Sequence, residues 1–146
     1  MENFTGKGFG RTIIIQLDRG EKIVESVSER LKAEGIKNAV VIGAVGSLQK
    51  LIYHRPTGMG AATVDEFLTI EEPMEICSIT GTVIDGTPHF HVVASGLECL
   101  YGGHLETETE VLYLAEITLA ELQGYNLERR TTKENVKKVF EKDSDK

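Results

Sequence analysis

Along this chain, apolar and polar positions alternate more often than they recur at helical spacing. Residues 12–17 are rich in β-branched side chains and predict a strand. Asp18 and Glu21 then stand three apart, as in a capping box, and Ile23, Val24, Val27 and Leu31 recur at helical spacing. Gly35 follows in the position of a helix C′ glycine, so the pattern predicts a long helix over about 19–34. Residues 38–42 read as a short buried strand that Gly43-Ala-Val-Gly46 breaks or bulges, and an extended pattern resumes over 47–54. Residues 57–62 are small and Gly-rich and read as a mobile loop. Strands are expected over 63–70, 75–84 and 111–120, and Asp85-Gly86 is a type I′ hairpin signal whose return strand is 87–95. Thr131-x-x-Glu134 forms a second capping box. It predicts a short C-terminal helix over about 132–142, with Val136, Val139 and Phe140 as its apolar stripe and a frayed tail after Glu141. The first ten residues, with Gly6, Gly8 and Gly10, read as a loose lead-in. These glycines precede a strand instead of joining a strand to a helix, which is the wrong context for a dinucleotide fingerprint.

Strands outnumber helices and at least one pair is a hairpin. The expected fold is therefore α+β: a largely antiparallel sheet with one long helix packed on it and a short C-terminal helix. The 146 residues fit a single domain over 1–146 with no internal repeat or linker. No apolar run is long enough to span a membrane, and no secretory signal opens the chain. Cys77 and Cys99 are too few for a disulfide scaffold; reduced, packed thiols and a cytoplasmic location are expected.

Charge sharpens the picture. Residues 56–127 contain twelve Asp/Glu and no Lys or Arg, whereas the segments before and after them are each mildly basic. A negative field over the central half repels nucleic-acid phosphates and concentrates cations. The same half holds His89, His91 and His104.

His89 and His91 flank Phe90 on the predicted return strand, so they share one face while Phe90 and Val92 take the other. Two imidazoles at that spacing can converge on one ion. His104 follows Gly102-Gly103, where glycines allow close backbone approach or a positive φ, and a turn over 96–101 would bring it beside the pair. Three histidines leave a coordination position open, as in a catalytic or ligand-binding zinc site. The competing reading makes His89 and His91 surface residues bonded to nearby carboxylates. Glu106 shares a face with His104 on a strand and could be a fourth ligand, an orienting partner or a general base; Glu98 could act the same way from the loop, or both could be surface acids. Cys99 could be a soft ligand but is better read as core, and Tyr101 either lines the site or packs. His54 stands alone beside Arg55 and reads as a surface residue.

These residues bring a family into view. Over roughly 11–120 the chain resembles the plants-and-prokaryotes-conserved (PPC) domain, in Leu17-Asp-Arg-Gly-Glu21, Gly43-Ala-Val-Gly-Ser-Leu-Gln-Lys-Leu51 and Glu75-Ile-Cys-Ser-Ile-Thr-Gly81. His89-Phe-His91 and Gly102-Gly-His-Leu105 are similar to the family's prokaryotic metal-site motifs and are the most specific part of the match. The resemblance implies a homotrimer of α+β subunits and a divalent metal, zinc before others, on His89, His91 and His104. The family's fold is similar to that of acetolactate decarboxylase, which makes chemistry at such a site plausible. Glu106-Thr-Glu108 departs from the family's more apolar stretch, and the AT-hook of plant members has no counterpart here. Three functions follow as expectations: a metal-dependent enzyme acting on a small molecule, with Glu106 or Glu98 handling protons; a non-catalytic domain binding a metal or a metal-chelating ligand; and a DNA-associated or assembly module in which the histidines are not catalytic.

Overall fold

The computed structural model describes residues 1–143. Nine strands and one helix follow in the order β1 (Gly8–Asp18), α1 (Ile23–Ala33), β2 (Ala39–Pro56), β3 (Asp65–Ile70), β4 (Met74–Ile84), β5 (Thr87–Ser95), β6 (Leu100–Leu105), β7 (Glu110–Gln123), β8 (Leu127–Thr131) and β9 (Lys137–Glu141). The first seven strands form one sheet in the order β1-β7-β2-β4-β5-β6, with β3 on β2. All the pairings are antiparallel. The far end of β2 also pairs with β6, so β2, β4, β5 and β6 curl into a closed ring of strands. Among the described residues, no helix is long and apolar enough to cross a membrane.

The core lies between α1 and the inner face of this sheet. Ile23, Val27 and Leu31 recur on one stripe of α1 and are at most 1% exposed. They form one core cluster with inward-facing residues of the sheet, including Leu17, Leu48, Phe90 and Ile117. Each such side chain contributes about 1.5–3 kcal/mol through area removed from water. Gly35 ends α1 as the sequence predicts: at φ +69 it lets its own N–H reach the Lys32 carbonyl and the Ile36 N–H reach that of Leu31. Asp85 and Gly86 both take positive φ, as a type I′ turn requires.

Several expectations need correction. The helix is short, eleven residues, and begins a turn later than its capping box. Gly20 takes φ +82, Glu21 donates its N–H to the Asp18 carbonyl, and the Glu21 carboxylate accepts the Asp18 N–H. The box motif therefore closes a turn, and α1 starts after an extended Lys22. The Gly43–Gly46 break is a set of bulges inside one eighteen-residue strand, β2. The lead-in is part of the sheet from Gly8 onward.

The C-terminal helix over 132–142 is absent, and a β8–β9 hairpin stands in its place. Asn135 sits at φ +60, and the Thr132–Val136 backbone hydrogen bonds reverse the chain where a helix would have had to continue. Three apolar residues satisfy a helical stripe, but Val139 and Phe140 suit a strand equally well. A helix that short needs tertiary packing to persist. Of the tail after Glu141, residues 144–146 lie outside the described residues. Both cysteines are free and exposed, not packed. Cys77 falls on a bulge between β4 and β5, which turns it outward, and Cys99 lies in the turn before β6.

Candidate metal centre

Strand register assembles the site. On β5, Phe90 and Val92 are buried in the core, so His89 and His91 face the other way. The β5–β6 pairing sets His104 directly opposite His91, and the β2–β6 pairing sets His54 directly opposite His104. One row therefore runs His54, His104, His91 across three strands, and His89 lies one step along β5. All four histidines of the chain meet here. The His54 and His104 rings stack with centroids 4.4 Å apart; those of His89 and His104 are 4.9 Å apart, and those of His91 and His104 are 5.6 Å apart.

The double glycine has a steric reason. A Cβ on Gly103 would run into the His54 carbonyl and the Tyr53 ring, so only glycine lets β6 lie this close to β2. Of the two uses the sequence allowed, close approach is the one realised.

His54 is the member that sequence reasoning missed. Its side chain is 22% exposed, and its Nδ1 lies 2.5 Å from Glu106 Oε1. The same carboxylate oxygen lies 3.1 Å from His104 Nδ1. That second approach is out of hydrogen-bonding alignment and leaves His104 Nδ1 a buried nitrogen without a partner. Glu106 is itself held in place: its N–H donates to the Ile52 carbonyl, to which the buried Thr109 hydroxyl also donates.

His89 and His91 bring their Nε2 atoms to 3.3 Å from each other. Burial, followed by the nearby Arg129 charge and the other histidines, pushes the His89 pKa down to about 4. Burial and His54 also lower that of His104, against an opposing pull from Glu106. Both shifts favour the neutral imidazole, the form that ligates metal.

Of the predicted site residues, His89, His91, His104 and Glu106 come together. Glu98 does not: it is exposed at the tip of the β5–β6 hairpin, four residue pairs beyond His91 and His104. Cys99 lies at the same tip, and Tyr101 packs against the core. Among the described residues, potential ligand atoms of His54, His104 and Glu106 all lie within 4.8 Å of one another. The donor set fits a first-row divalent ion, since imidazole nitrogens with one carboxylate suit zinc, iron, nickel or copper.

A sequence profile of the Plants and Prokaryotes Conserved (PCC) domain matches residues 4–123. Among solved structures, a plant- and prokaryote-conserved protein from Pyrococcus horikoshii is 27% identical with a TM-score of 0.77, over 99% of this chain and 100% of that one. A metal-containing protein from Archaeoglobus fulgidus is also 27% identical, with a TM-score of 0.75 over 92% of this chain and 95% of that one. A protein from Bacteroides thetaiotaomicron, assigned conjecturally to DNA binding in its name, shares the fold at 18% identity, with a TM-score of 0.75 over 93% of this chain and 96% of that one. No curated protein matches the chain.

Proposed function

Since the chain belongs to the Plants and Prokaryotes Conserved domain family, we propose that it binds a divalent metal ion, zinc before others, through His89, His91 and His104, with a coordination position left for a small-molecule ligand. The observation that carries this is the His89–His91 pair. Two nitrogens on a tetrahedral ion, each about 2.0–2.1 Å from it, stand about 3.3 Å apart, and these two Nε2 atoms stand 3.3 Å apart. Glu106 is engaged by His54 and lies beside the Nδ1 side of His104. We read Glu106 as the carboxylate that would orient the His104 imidazole once its Nδ1–H aligns, and not as a ligand. A metal bound here would supply Lewis acidity toward a carbonyl or water, and Glu106, beside His54 and His104, would be the acid that exchanges a proton with a ligand. The metal-containing Archaeoglobus fulgidus relative supports the reading.

The test is metal content by elemental analysis. Wild type should carry about one ion per chain, and H89A/H91A none, while H54A keeps it. Loss in H54A with retention in H89A/H91A would move the ion to His54, His104 and Glu106. No metal in wild type after incubation with zinc at neutral pH would end the proposal.

Self-association as a homotrimer belongs to the same reading. Ile14, Val45 and Leu114 are exposed on the outer face of β1-β7-β2, with Ile42 exposed at a bulge beside them, and such a patch calls for a partner. Sedimentation of a monomer would refute it. The free cysteines fit a reducing, cytoplasmic setting. DNA association, which the name of the Bacteroides thetaiotaomicron neighbour raises, is the weaker reading because residues 56–127 offer no cation to phosphate. DNA binding at low salt that weakens steeply as salt rises would restore it.

A further inference from the structure

The β8–β9 hairpin lies outside residues 4–123, the stretch that matches the family. It is nevertheless fastened to the sheet. Lys142 pairs with Asp85 at 2.7 Å, and Leu127 is buried. Arg129 on β8 donates from Nη2 to the Thr82 hydroxyl at 3.1 Å. Thr82 stands directly opposite His89 in the β4–β5 pairing, and opposite residues of an antiparallel pair share a face. The Arg129 guanidinium therefore lies on the histidine face, next to His89.

Its environment is unusual for an arginine. The other paired cations in and beside the hairpin have carboxylates: Arg130 contacts Glu128 and Asp143, Lys133 contacts Glu134, and Lys142 contacts Asp85. Arg129 contacts no carboxylate among the described residues, and its Nε is a buried donor without an acceptor. A half-buried guanidinium left this way is costly unless an anion completes it. The need grows when a metal is present. A dication and Arg129, set against Glu106, the one carboxylate among the described residues that touches the histidines, leave the site net positive.

We propose that Arg129 recognises the charge of the ligand, and that this ligand is a metal-chelating carboxylate, one end on the ion and a carboxylate oxygen on the guanidinium. The inference rests on the metal reading above and adds the ligand class and the residue that selects it. It also gives the hairpin a purpose: it delivers a cation to a face that the acidic central half cannot supply.

The experiment uses the full chain loaded with cobalt(II), with the visible absorption of the ion as the readout and oxalate as the probe. Oxalate should perturb the cobalt bands of wild type, with cobalt retained on gel filtration. Its affinity should fall about tenfold or more in R129Q, as expected for loss of a charge-assisted hydrogen bond. R129K, which keeps the charge but loses the fork, should lie between them. Cobalt affinity should stay the same or rise in R129Q, since a repelling charge has gone, and imidazole, a neutral ligand for the same position, should bind both proteins alike. Equal oxalate affinity in wild type and R129Q overturns the inference and leaves the metal site standing. So does loss of cobalt in R129Q, which would make the arginine a structural prop, and so does oxalate that strips the ion from wild type. Failure of wild type to take up cobalt overturns the metal reading and this inference together.

Discussion

The two halves of β2 are built by the same strand and serve different ends. From Ala39 to Leu48 it lies between β7 and β4 and buries Ala39, Val41 and Leu48 in the core. From Leu51 to Pro56 it lies between β3 and β6; Leu51 and Tyr53 still face inward, but His54 joins the histidine row on the other face. The first half depends on volume and apolarity. The second depends on which strands arrive beside it and in what register. A change in the first half should cost stability, and a change at the second half's pairing should cost the site.

The largest effect should come from Leu48→Ala, at a fully buried position in the core half. Deleting such a side chain removes about 2–5 kcal/mol, part transfer free energy and part cavity. Urea denaturation should show that loss, while the folded fraction still takes up metal at the wild-type ratio. A folded variant that no longer holds metal would mean the two halves are not separable.

Gly103→Ala attacks the other half. The added methyl meets the His54 carbonyl, so β6 must shift away from β2. Overpacking of this kind costs about 1–3 kcal/mol, less than the core change. Unlike that change, it should also weaken metal uptake, because the row His54, His104, His91 depends on that spacing. Wild-type metal affinity in this variant would show that the close approach serves stability alone.

The same contrast explains what could be read from the sequence. The core half of β2, α1 and the β4–β5 hairpin were legible because local period and turn chemistry decide them: Ile23, Val27 and Leu31 for the helix, Asp85-Gly86 for the turn. His89 and His91 were legible as sharing a face for the same reason. His54 was not, because its place in the cluster depends on a pairing with a strand fifty residues away, and nothing next to Arg55 records that. One signal was available: Gly102-Gly103 announced that another backbone comes close, although not which one. The C-terminal segment misled because three apolar residues fit both periods and the left-handed turn at Asn135 decided between them. Arg129 was hidden with it, since a helix over 132–142 gives no reason to lay residue 129 beside His89.

Glu106→Gln tests the carboxylate that links the row. Glutamine keeps the size and loses the charge between His54 and His104. Metal affinity should fall about 10–100-fold, the usual consequence of losing a carboxylate that orients a ligating histidine. Stability of the metal-free protein should change little, because the group is partly exposed. Competition with a metal-indicator dye measures the first, urea denaturation the second. An unchanged affinity would remove Glu106 from the centre.

The smallest effect is the dependence of stability on pH, and its sign follows from the histidines. In the folded protein His89 has its pKa lowered to about 4, by burial first and then by Arg129, His104, His91 and His54. In the unfolded chain it returns to about 6.5. A group whose folded pKa is depressed contributes stability that is complete above the unfolded pKa and is lost as pH falls toward the folded one, because the unfolded chain binds the proton first. The metal-free protein should therefore lose stability between about pH 6.5 and 4, and His104, lowered in the same direction, should add to the loss. Carboxylates titrate in the lower part of that window, so the informative quantity is the difference between wild type and His89→Gln in urea midpoints at pH 7, 5.5 and 4.5. The variant should lose less stability than wild type over that range. Because the side chain is only part-buried, the difference should be smaller than the cost of Leu48→Ala. Parallel curves would mean that the His89 imidazole is open to solvent. The face would then be looser than the core half of β2, and burial could no longer be credited with keeping His89 neutral.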